Sequence, residues 1–155
     1  MSSPSSANSA IDAASRARDL PAIEIEERVR YAETDGMGIA HHKNYFVWFE
    51  VGRTEYCRRR GLTYREVEGL GFFSVVVEAS CLYKKPLRYD DQFIIRTVLR
   101  EATLKKFVFV YDVLRKDDRE VLATGHTVHI TVNRQGRASQ LPPEVLETLL
   151  GPEKT

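Results

Sequence analysis

The chain has 155 residues, of which 43% are hydrophobic and 29% charged, and this is the size of one globular domain with a single core. Its formal net charge of +1 argues against a dedicated nucleic-acid binder, because such a protein needs a basic excess that neutralises several phosphates. No apolar run approaches the roughly 20 residues that cross a bilayer. The composition therefore predicts no nucleic-acid partner and no membrane span.

The first twenty residues are rich in Ser and Ala and lack the hydrophobic centre of a secretory signal. We expect a disordered tail over residues 1–20, one domain over residues 21–151 and a C-terminal tail over residues 152–155. A transit peptide is the alternative for the first segment, and its acidic residues weaken that alternative. Cys57 and Cys81 lack metal-ligand spacing, which predicts buried thiols in a reducing compartment and hence a cytoplasmic protein.

The first predicted strand alternates apolar and charged residues from Ile23 to Tyr31, the period of a strand with one wet face. From Asn44 the period lengthens to three and four residues, which is typical of a helical stripe. The members of that stripe are Tyr45, Trp48, Phe49, Gly52 and Tyr56. We expect the helix to end at Gly61, after three arginines that favour the negative end of its dipole.

Beyond this helix the sequence returns to a period of two. A long strand is predicted from Phe73 to Tyr83, with its odd-numbered residues on one face, and Pro86 follows its end. Three further strands are predicted over residues 92–100, 104–115 and 120–132, joined by short charged turns. A last short helix is predicted to begin at the segment LPPE, where proline suits the first helical turn.

The predicted element order is one strand, one long helix and four more strands. Consecutive strands with short connections form antiparallel sheets, and one helix cannot bury its aromatic side chains alone. The sequence therefore predicts an α+β domain in which a curved antiparallel sheet of about five strands wraps around one central helix. We expect Phe46, Trp48 and Phe49 to be buried, each contributing on the order of 1.5 to 3 kcal/mol.

The segment YAETDGMGIAHHKNYFVWFEVGRTEYCRRRGL resembles the signature of the hotdog-fold acyl-CoA thioesterases of the 4-hydroxybenzoyl-CoA thioesterase family. The matching positions are Thr34, Asp35 and Gly38 in a D-x-x-G turn, the Asn44–Tyr45 pair, and Glu50, Arg53 and Glu55 in the helix. Farther on, YKKPLRYDDQF and LPPEV are similar to the family's second-strand motif and ending, so the resemblance covers about Glu24 to Leu150. The adjacent histidines, His41 and His42, depart from the family pattern.

The resemblance implies hydrolysis of an acyl-CoA thioester to a free acid and CoA. Asp35 would act as general base or as nucleophile, and the backbone N–H of His42 would donate to the developing oxyanion. Gly38 would shape the turn, and one ring of the histidine pair, His41 or His42, would face the substrate or orient Asp35. No cofactor is expected beyond the CoA of the substrate, and no metal, because adjacent histidines lack a third ligand in the sequence.

Several of these residues have a second interpretation that the sequence leaves open. Asp35 is equally suited to forming a turn or capping a helix. Glu50 is a rival base, although Arg53 at i+3 offers it an ion-pair partner. His126 and His129 lie three apart on one strand, so they are predicted to face opposite sides of the sheet.

The basic group Lys84, Lys85 and Arg88 is either a solvated edge or a set of contacts to the phosphates of CoA. Two other functions remain as alternatives: a hotdog dehydratase or hydratase acting on acyl thioesters, and a non-catalytic acyl-CoA-binding sensor. We also expect a homo-oligomer, a dimer or a tetramer, because a small sheet leaves edges that a second copy can extend.

Overall fold

The computed structural model describes residues 21–154, so the predicted tail over residues 1–20 lies outside the described residues. The strands are β1 (Ala22–Arg28), β2 (Phe73–Tyr83), β3 (Gln92–Ala102), β4 (Lys106–Arg115) and β5 (Val121–Val132). The helices are α1 (Lys43–Arg59), α2 (Tyr64–Gly69) and α3 (Pro143–Leu150), with one 3-10 turn at Tyr31–Glu33. The short helix α2 was not expected; Thr63 caps its first turn by accepting the backbone N–H of Glu66.

The five strands form one antiparallel sheet in the order β1-β3-β4-β5-β2. Helix α1 packs on one face of this sheet, mainly against β3 and β1. The prediction of an antiparallel sheet around one long helix is thereby confirmed. The core between them is built from aromatic and branched side chains, among them Trp48, Phe49, Tyr56, Phe93, Ile95, Phe109, Tyr111 and Val113.

Two contacts bring the helix close to the sheet. A side chain at Gly52 would collide with the hydroxyl of Thr97, and one at Gly125 would collide with the ring of Phe49. Glycine is therefore needed at both positions for the helix and sheet to approach this closely. Phe46 corrects a prediction, because its ring lies at the edge of the packed face and is 36% exposed, whereas Phe49 is fully buried.

Strand β2 contains a β-bulge that the sequence did not reveal. Val76 pairs with His129 and Glu78 pairs with Val128, so Val77 is an extra residue in the strand. Residues that pair across antiparallel strands point to the same face. Tyr83, which pairs with the core residue Ala123, therefore lies on the inner face with Val76. The prediction that all odd-numbered residues from Phe73 to Tyr83 share a face was wrong, because the bulge changes the alternation.

Both edges of the sheet are open in the described part of the chain. Strand β1 pairs with β3 alone, and β2 pairs with β5 alone. Strand β2 is apolar and accessible, since Val75, Val76 and Val77 are 42%, 43% and 53% exposed. Among residues 21–154, no helix combines the length and the hydropathy that crossing a membrane would require.

Candidate active site

The segment between the 3-10 turn and helix α1 folds back on itself as a small hairpin. Thr34 and Ala40 form an isolated antiparallel bridge. Inside it, the N–H of Asp35 donates to the carbonyl of Ile39 at 2.8 Å, and the N–H of Gly38 donates to the carbonyl of Asp35 at 2.9 Å. Gly38 has a φ of +76°, which glycine adopts without the steric cost that a side chain would carry. The predicted D-x-x-G turn is therefore present.

The carboxylate of Asp35 has two differently placed oxygens. Its Oδ1 accepts the N–H of Met37 at 2.9 Å and the N–H of Ile39 at 3.3 Å, which holds the turn together. Within the described part of the chain, its Oδ2 accepts no hydrogen bond. The side chain is half-buried. The turn-forming role predicted as an alternative is thus present, and it uses only one of the two carboxylate oxygens.

The two histidines mark the start of helix α1. The Nδ1 atom of His41 accepts the N–H of Lys43 at 3.1 Å, so that nitrogen carries no proton in this arrangement. The rings of His41 and His42 stack with centroids 4.2 Å apart, and His42 is exposed. Among residues 21–154, the backbone N–H of His42 donates to no partner and no cluster of three potential metal ligands occurs. This N–H lies at the positive end of the helix dipole.

Glu33 anchors the hairpin to helix α1, and the sequence did not single it out. Its carboxylate accepts the backbone N–H of Arg30 and the indole N–H of Trp48, both at 2.8 Å. Its carbonyl accepts the N–H of His41 and the side-chain amide of Asn44, both at 2.7 Å. These four bonds fix where the hairpin enters the helix. The only local signal was an acidic residue three positions after Arg30.

Tyr83 reaches the same helix terminus from the end of strand β2. Its hydroxyl donates to the carbonyl of His42 at 3.1 Å. Its ring contacts those of His42 and Tyr45 edge-on, with centroids 6.4 and 4.9 Å away. Two causes raise the pKa of Tyr83 to about 12: partial burial, which is the larger, and interaction with the Cys81 thiol. The hydroxyl therefore keeps its proton at neutral pH.

The predicted CoA contacts separate into two groups. Arg88 forms an isolated bridge with Ile39, and the carbonyl of Leu87 accepts the N–H of Ala40 at 2.7 Å, so this segment runs beside the Asp35 hairpin. Lys84 is exposed at the end of β2. Lys85 instead forms an ion pair with Glu120, which the sequence could not indicate across so many intervening residues.

The ion pair predicted between Glu50 and Arg53 does not occur within the described residues. Arg53 instead lies near the hydroxyl of Tyr111, where its charge opposes the rise in the Tyr111 pKa that burial causes. Because Tyr111 lies on the inner face of the sheet, Arg53 leans inward rather than along the helix surface. Glu50 is exposed and contributes nothing to the Asp35 hairpin.

His126 and His129 occupy opposite faces of β5, as predicted. His129 is buried beside Phe109, and its Nε2 shares a hydrogen bond of 2.8 Å with the hydroxyl of Thr127. Burial and the nearby charge of Arg53 lower the pKa of His129 to about 4, so the ring is neutral at neutral pH. His126 lies on the outer face and pairs with Glu78 at 2.6 Å.

Comparison with known proteins points to one enzyme family. The profile of a family described as the thioesterase-like superfamily matches residues 29–149. A protein of Aquifex aeolicus (strain VF5), provisionally named an esterase, is 41% identical over 122 residues, which are 79% of this chain and 93% of the relative. A provisionally named acyl-CoA thioesterase of Bacillus subtilis (strain 168), YneP, is 38% identical over 110 residues, which are 71% of this chain and 79% of the relative.

A solved structure supports the same conclusion. The structure of a DHNA-CoA thioesterase from Staphylococcus aureus superimposes with a TM-score of 0.78 and 30% sequence identity. The similarity covers 82% of this chain and 87% of that one. The element order and the sheet described above are therefore those of a solved thioesterase.

Proposed function

The chain belongs to the thioesterase-like superfamily, as its motifs led us to expect, and we propose that it hydrolyses an acyl-CoA thioester to a free acid and CoA. One observation carries the proposal. The Asp35 carboxylate has one oxygen fixed by backbone N–H groups and one without a partner among residues 21–154, and it lies seven residues before the unpaired N–H of His42.

The chemistry follows from these two groups. Asp35 Oδ2 takes a proton from a water molecule whose oxygen attacks the thioester carbonyl carbon. The carbonyl electrons move to oxygen, where the N–H of His42 and the positive end of the α1 dipole stabilise the negative charge. When the carbonyl reforms, the C–S bond breaks and the CoA thiolate leaves. We favour this route over direct attack by Asp35, which would give a mixed anhydride that water then hydrolyses.

The dehydratase alternative requires a histidine and an acidic group that face one another in the site. The described chain contains such a pair in His126 and Glu78, but both lie on the outer face of the sheet, away from helix α1. The hairpin beside the helix offers the carboxylate of Asp35 instead. A sensor without turnover would have no use for the unpaired oxygen of that carboxylate.

A panel of acyl-CoAs tests the three functions in one assay. We expect release of free thiol, measured with a colorimetric thiol reagent, and no change in the absorbance of an enoyl-CoA. Hydration of an enoyl-CoA without thiol release would establish the dehydratase or hydratase function. Saturable binding with no turnover of any acyl-CoA would establish the sensor function.

We propose no cofactor beyond substrate CoA. We also propose a location in the reducing cytoplasm, which the free thiols of Cys57 and Cys81 support.

We also propose that the protein is a homo-oligomer, at least a dimer. The exposed apolar strand β2 supports this, because an open apolar edge is a template for pairing with a second copy. Light scattering at micromolar concentration should give a multiple of the 17.7 kDa chain mass.

The variants Val75→Glu and Val77→Glu should shift that mass towards the monomer, since each places a charge on the proposed edge. Leu150→Glu is the matched control, because Leu150 is 61% exposed but lies on helix α3. A fully active wild-type monomer would contradict the proposal.

A further prediction concerns the phosphates of CoA. The triple variant Lys84→Ala, Lys85→Ala and Arg88→Ala should raise KM for acyl-CoA more than it lowers kcat, because phosphate contacts bind ground and transition states about equally. Among single variants, Arg88→Ala should have a larger effect than Lys85→Ala, because Arg88 borders the hairpin and Lys85 is paired with Glu120.

A short acyl-pantetheine substrate, which lacks the nucleotide phosphates, should be hydrolysed equally well by the triple variant and the wild type. Arg65→Ala is the control for loss of an exposed cation, since Arg65 lies on helix α2, beyond the C-terminal end of helix α1, whereas the Asp35 hairpin precedes the N-terminal end of α1. Equal losses on both substrates would show that the three side chains do not contact phosphate.

A further inference from the structure

The two carbonyl groups on either side of His42 each accept a side-chain hydrogen bond. The amide Nδ2 of Asn44 donates to the carbonyl of His41 at 3.2 Å, and the hydroxyl of Tyr83 donates to the carbonyl of His42 at 3.1 Å. The backbone N–H of Asn44 also reaches the carbonyl of His41, at 3.0 Å. Two consecutive peptide groups at the start of helix α1 are therefore held by side chains from outside the backbone ladder.

The first of these peptide groups contains the N–H of His42. Its carbonyl, that of His41, accepts two hydrogen bonds, and hydrogen bonds to a carbonyl polarise the whole amide. The N–H at the other end of the same amide becomes a stronger donor. Asn44 is only 8% exposed, and its Nδ2 also donates to the carbonyl of Glu33 at 2.7 Å. The amide is thus fixed in orientation as well as polarised.

The second peptide group begins at the carbonyl of His42 and is held by Tyr83. The N–H of His42 lies in the peptide plane between His41 and His42, so it changes direction when that plane rotates about the Cα atoms at its two ends. The second plane shares the Cα of His42, and holding it in place limits this rotation. Asn44 holds one plane and Tyr83 holds the other. Tyr83 comes from strand β2, a part of the chain about forty residues away, so the direction of this N–H depends on tertiary structure and not on helix α1 alone.

We propose that Asn44 and Tyr83 are positioning residues that fix and polarise the N–H of His42 for the thioester oxyanion. The inference rests on the proposed function, because it takes that N–H as the oxyanion donor. Neither side chain touches the substrate in this role. The effect is sensitive to geometry, since removing an oxyanion donor costs about a hundred- to thousandfold in rate and a misplacement of about 1 Å can cost a hundredfold.

The variant Tyr83→Phe tests the second contact with little risk to folding, because Tyr83 is 43% exposed and phenylalanine keeps the ring contacts. We expect kcat to fall about ten- to hundredfold with KM within about twofold of wild type, because the N–H acts mainly in the transition state. Tyr89→Phe is the matched control: Tyr89 is 57% exposed and its hydroxyl makes no hydrogen bond among the described residues. It should retain wild-type kcat.

A vibrational measurement separates positioning from a structural role. Acyl-CoA carrying ¹³C at the thioester carbonyl is bound to an Asp35→Asn protein, and isotope-edited infrared difference spectra record the carbonyl stretch. A correctly aimed N–H polarises this carbonyl and lowers its frequency relative to that in water. The shift should be smaller in Asp35→Asn/Tyr83→Phe and unchanged in Asp35→Asn/Tyr89→Phe.

The buried contact is tested by Asn44→Ala with the same readouts. We expect about a hundredfold lower kcat and a reduced carbonyl shift, together with a lower melting temperature, because carbonyl groups of Glu33 and His41 lose a donor. If this variant fails to fold, the Tyr83→Phe results alone decide the inference.

The outcomes distinguish the inference from the function on which it rests. No carbonyl shift in Asp35→Asn would overturn the oxyanion assignment, and activity that survives Asp35→Asn would overturn the function. If Asp35→Asn abolishes turnover and shows the shift, but Tyr83→Phe changes neither kcat nor the shift, the function stands and the positioning role of Tyr83 is wrong.

Discussion

Replacing Asp35 with asparagine should lower kcat by about a thousandfold or more while leaving acyl-CoA binding intact. The variant removes the charge that either proposed mechanism requires. It should keep the fold, because the asparagine carbonyl can still accept the N–H groups of Met37 and Ile39 that Oδ1 accepts now. Thiol release measures the loss of kcat, and titration with the substrate measures binding.

The alanine variant supplies the comparison. Asp35→Ala removes both the charge and the acceptor, so it should be as inactive as Asp35→Asn and should also lose about 1 kcal/mol of stability. Denaturant unfolding measures that difference. A folded Asp35→Asn protein with close to wild-type activity would falsify the catalytic assignment and leave Asp35 as a turn residue.

The two mechanisms differ in the source of the oxygen in the first product. In a single turnover in ¹⁸O-labelled water, general-base catalysis places a solvent oxygen in the acid. Direct attack places an oxygen of Asp35 there instead, because water then attacks the carboxyl carbon of the enzyme in the anhydride. Mass spectrometry of the acid under excess enzyme distinguishes the two.

Truncation of Phe49 should cause the largest loss of stability. Its ring is fully buried, stacks on Tyr111 with centroids 4.3 Å apart and lies against Gly125. Phe49→Ala leaves a cavity between helix α1 and the sheet, and such changes cost about 3 to 5 kcal/mol. Equilibrium unfolding in urea at fixed protein concentration measures the difference in the free energy of unfolding.

Phe46 in the same helix is the matched control, since it is the same residue type and 36% exposed. Phe46→Ala should cost less than about 1.5 kcal/mol, because its ring leaves water only in part and alanine favours the helix. Equal losses for the two variants would mean that the ring of Phe49 is not the packed one.

The periodicity of the sequence was sufficient to predict the helix, the five strands and their approximate bounds. Phe46 lies outside the stripe that this periodicity defines and was expected in the core only as one of the aromatic residues of the helix. Aromatic content alone does not locate the edge of the buried face. The contacts that periodicity missed connect distant parts of the chain: Tyr83 with His42, Arg53 with Tyr111, and Lys85 with Glu120. No local pattern encodes which of several nearby charged or hydroxyl groups a side chain reaches after folding.

The residues of the candidate site were predicted from the family resemblance and not from periodicity. The family resemblance pointed to Asp35, Gly38 and the N–H of His42 as members of one site, and the structure supplies the turn, the unpaired oxygen and the unpaired N–H. It did not point to Glu33, because the role of this residue depends on an indole N–H one helical turn into α1.

The bulge at Val77 gives strand β2 one residue more than the partner strand needs, and this changes how its length can vary among related proteins. A relative that lacks the equivalent of Val77 would keep Val76 opposite His129 and Glu78 opposite Val128, so Tyr83 would still point at helix α1. A gap anywhere between Glu78 and Tyr83 would instead shift the register or reverse the side chains on one side of it. An alignment of β2 should therefore place a single-residue gap at Val77, and homologues of either length can preserve the tyrosine beside the helix terminus.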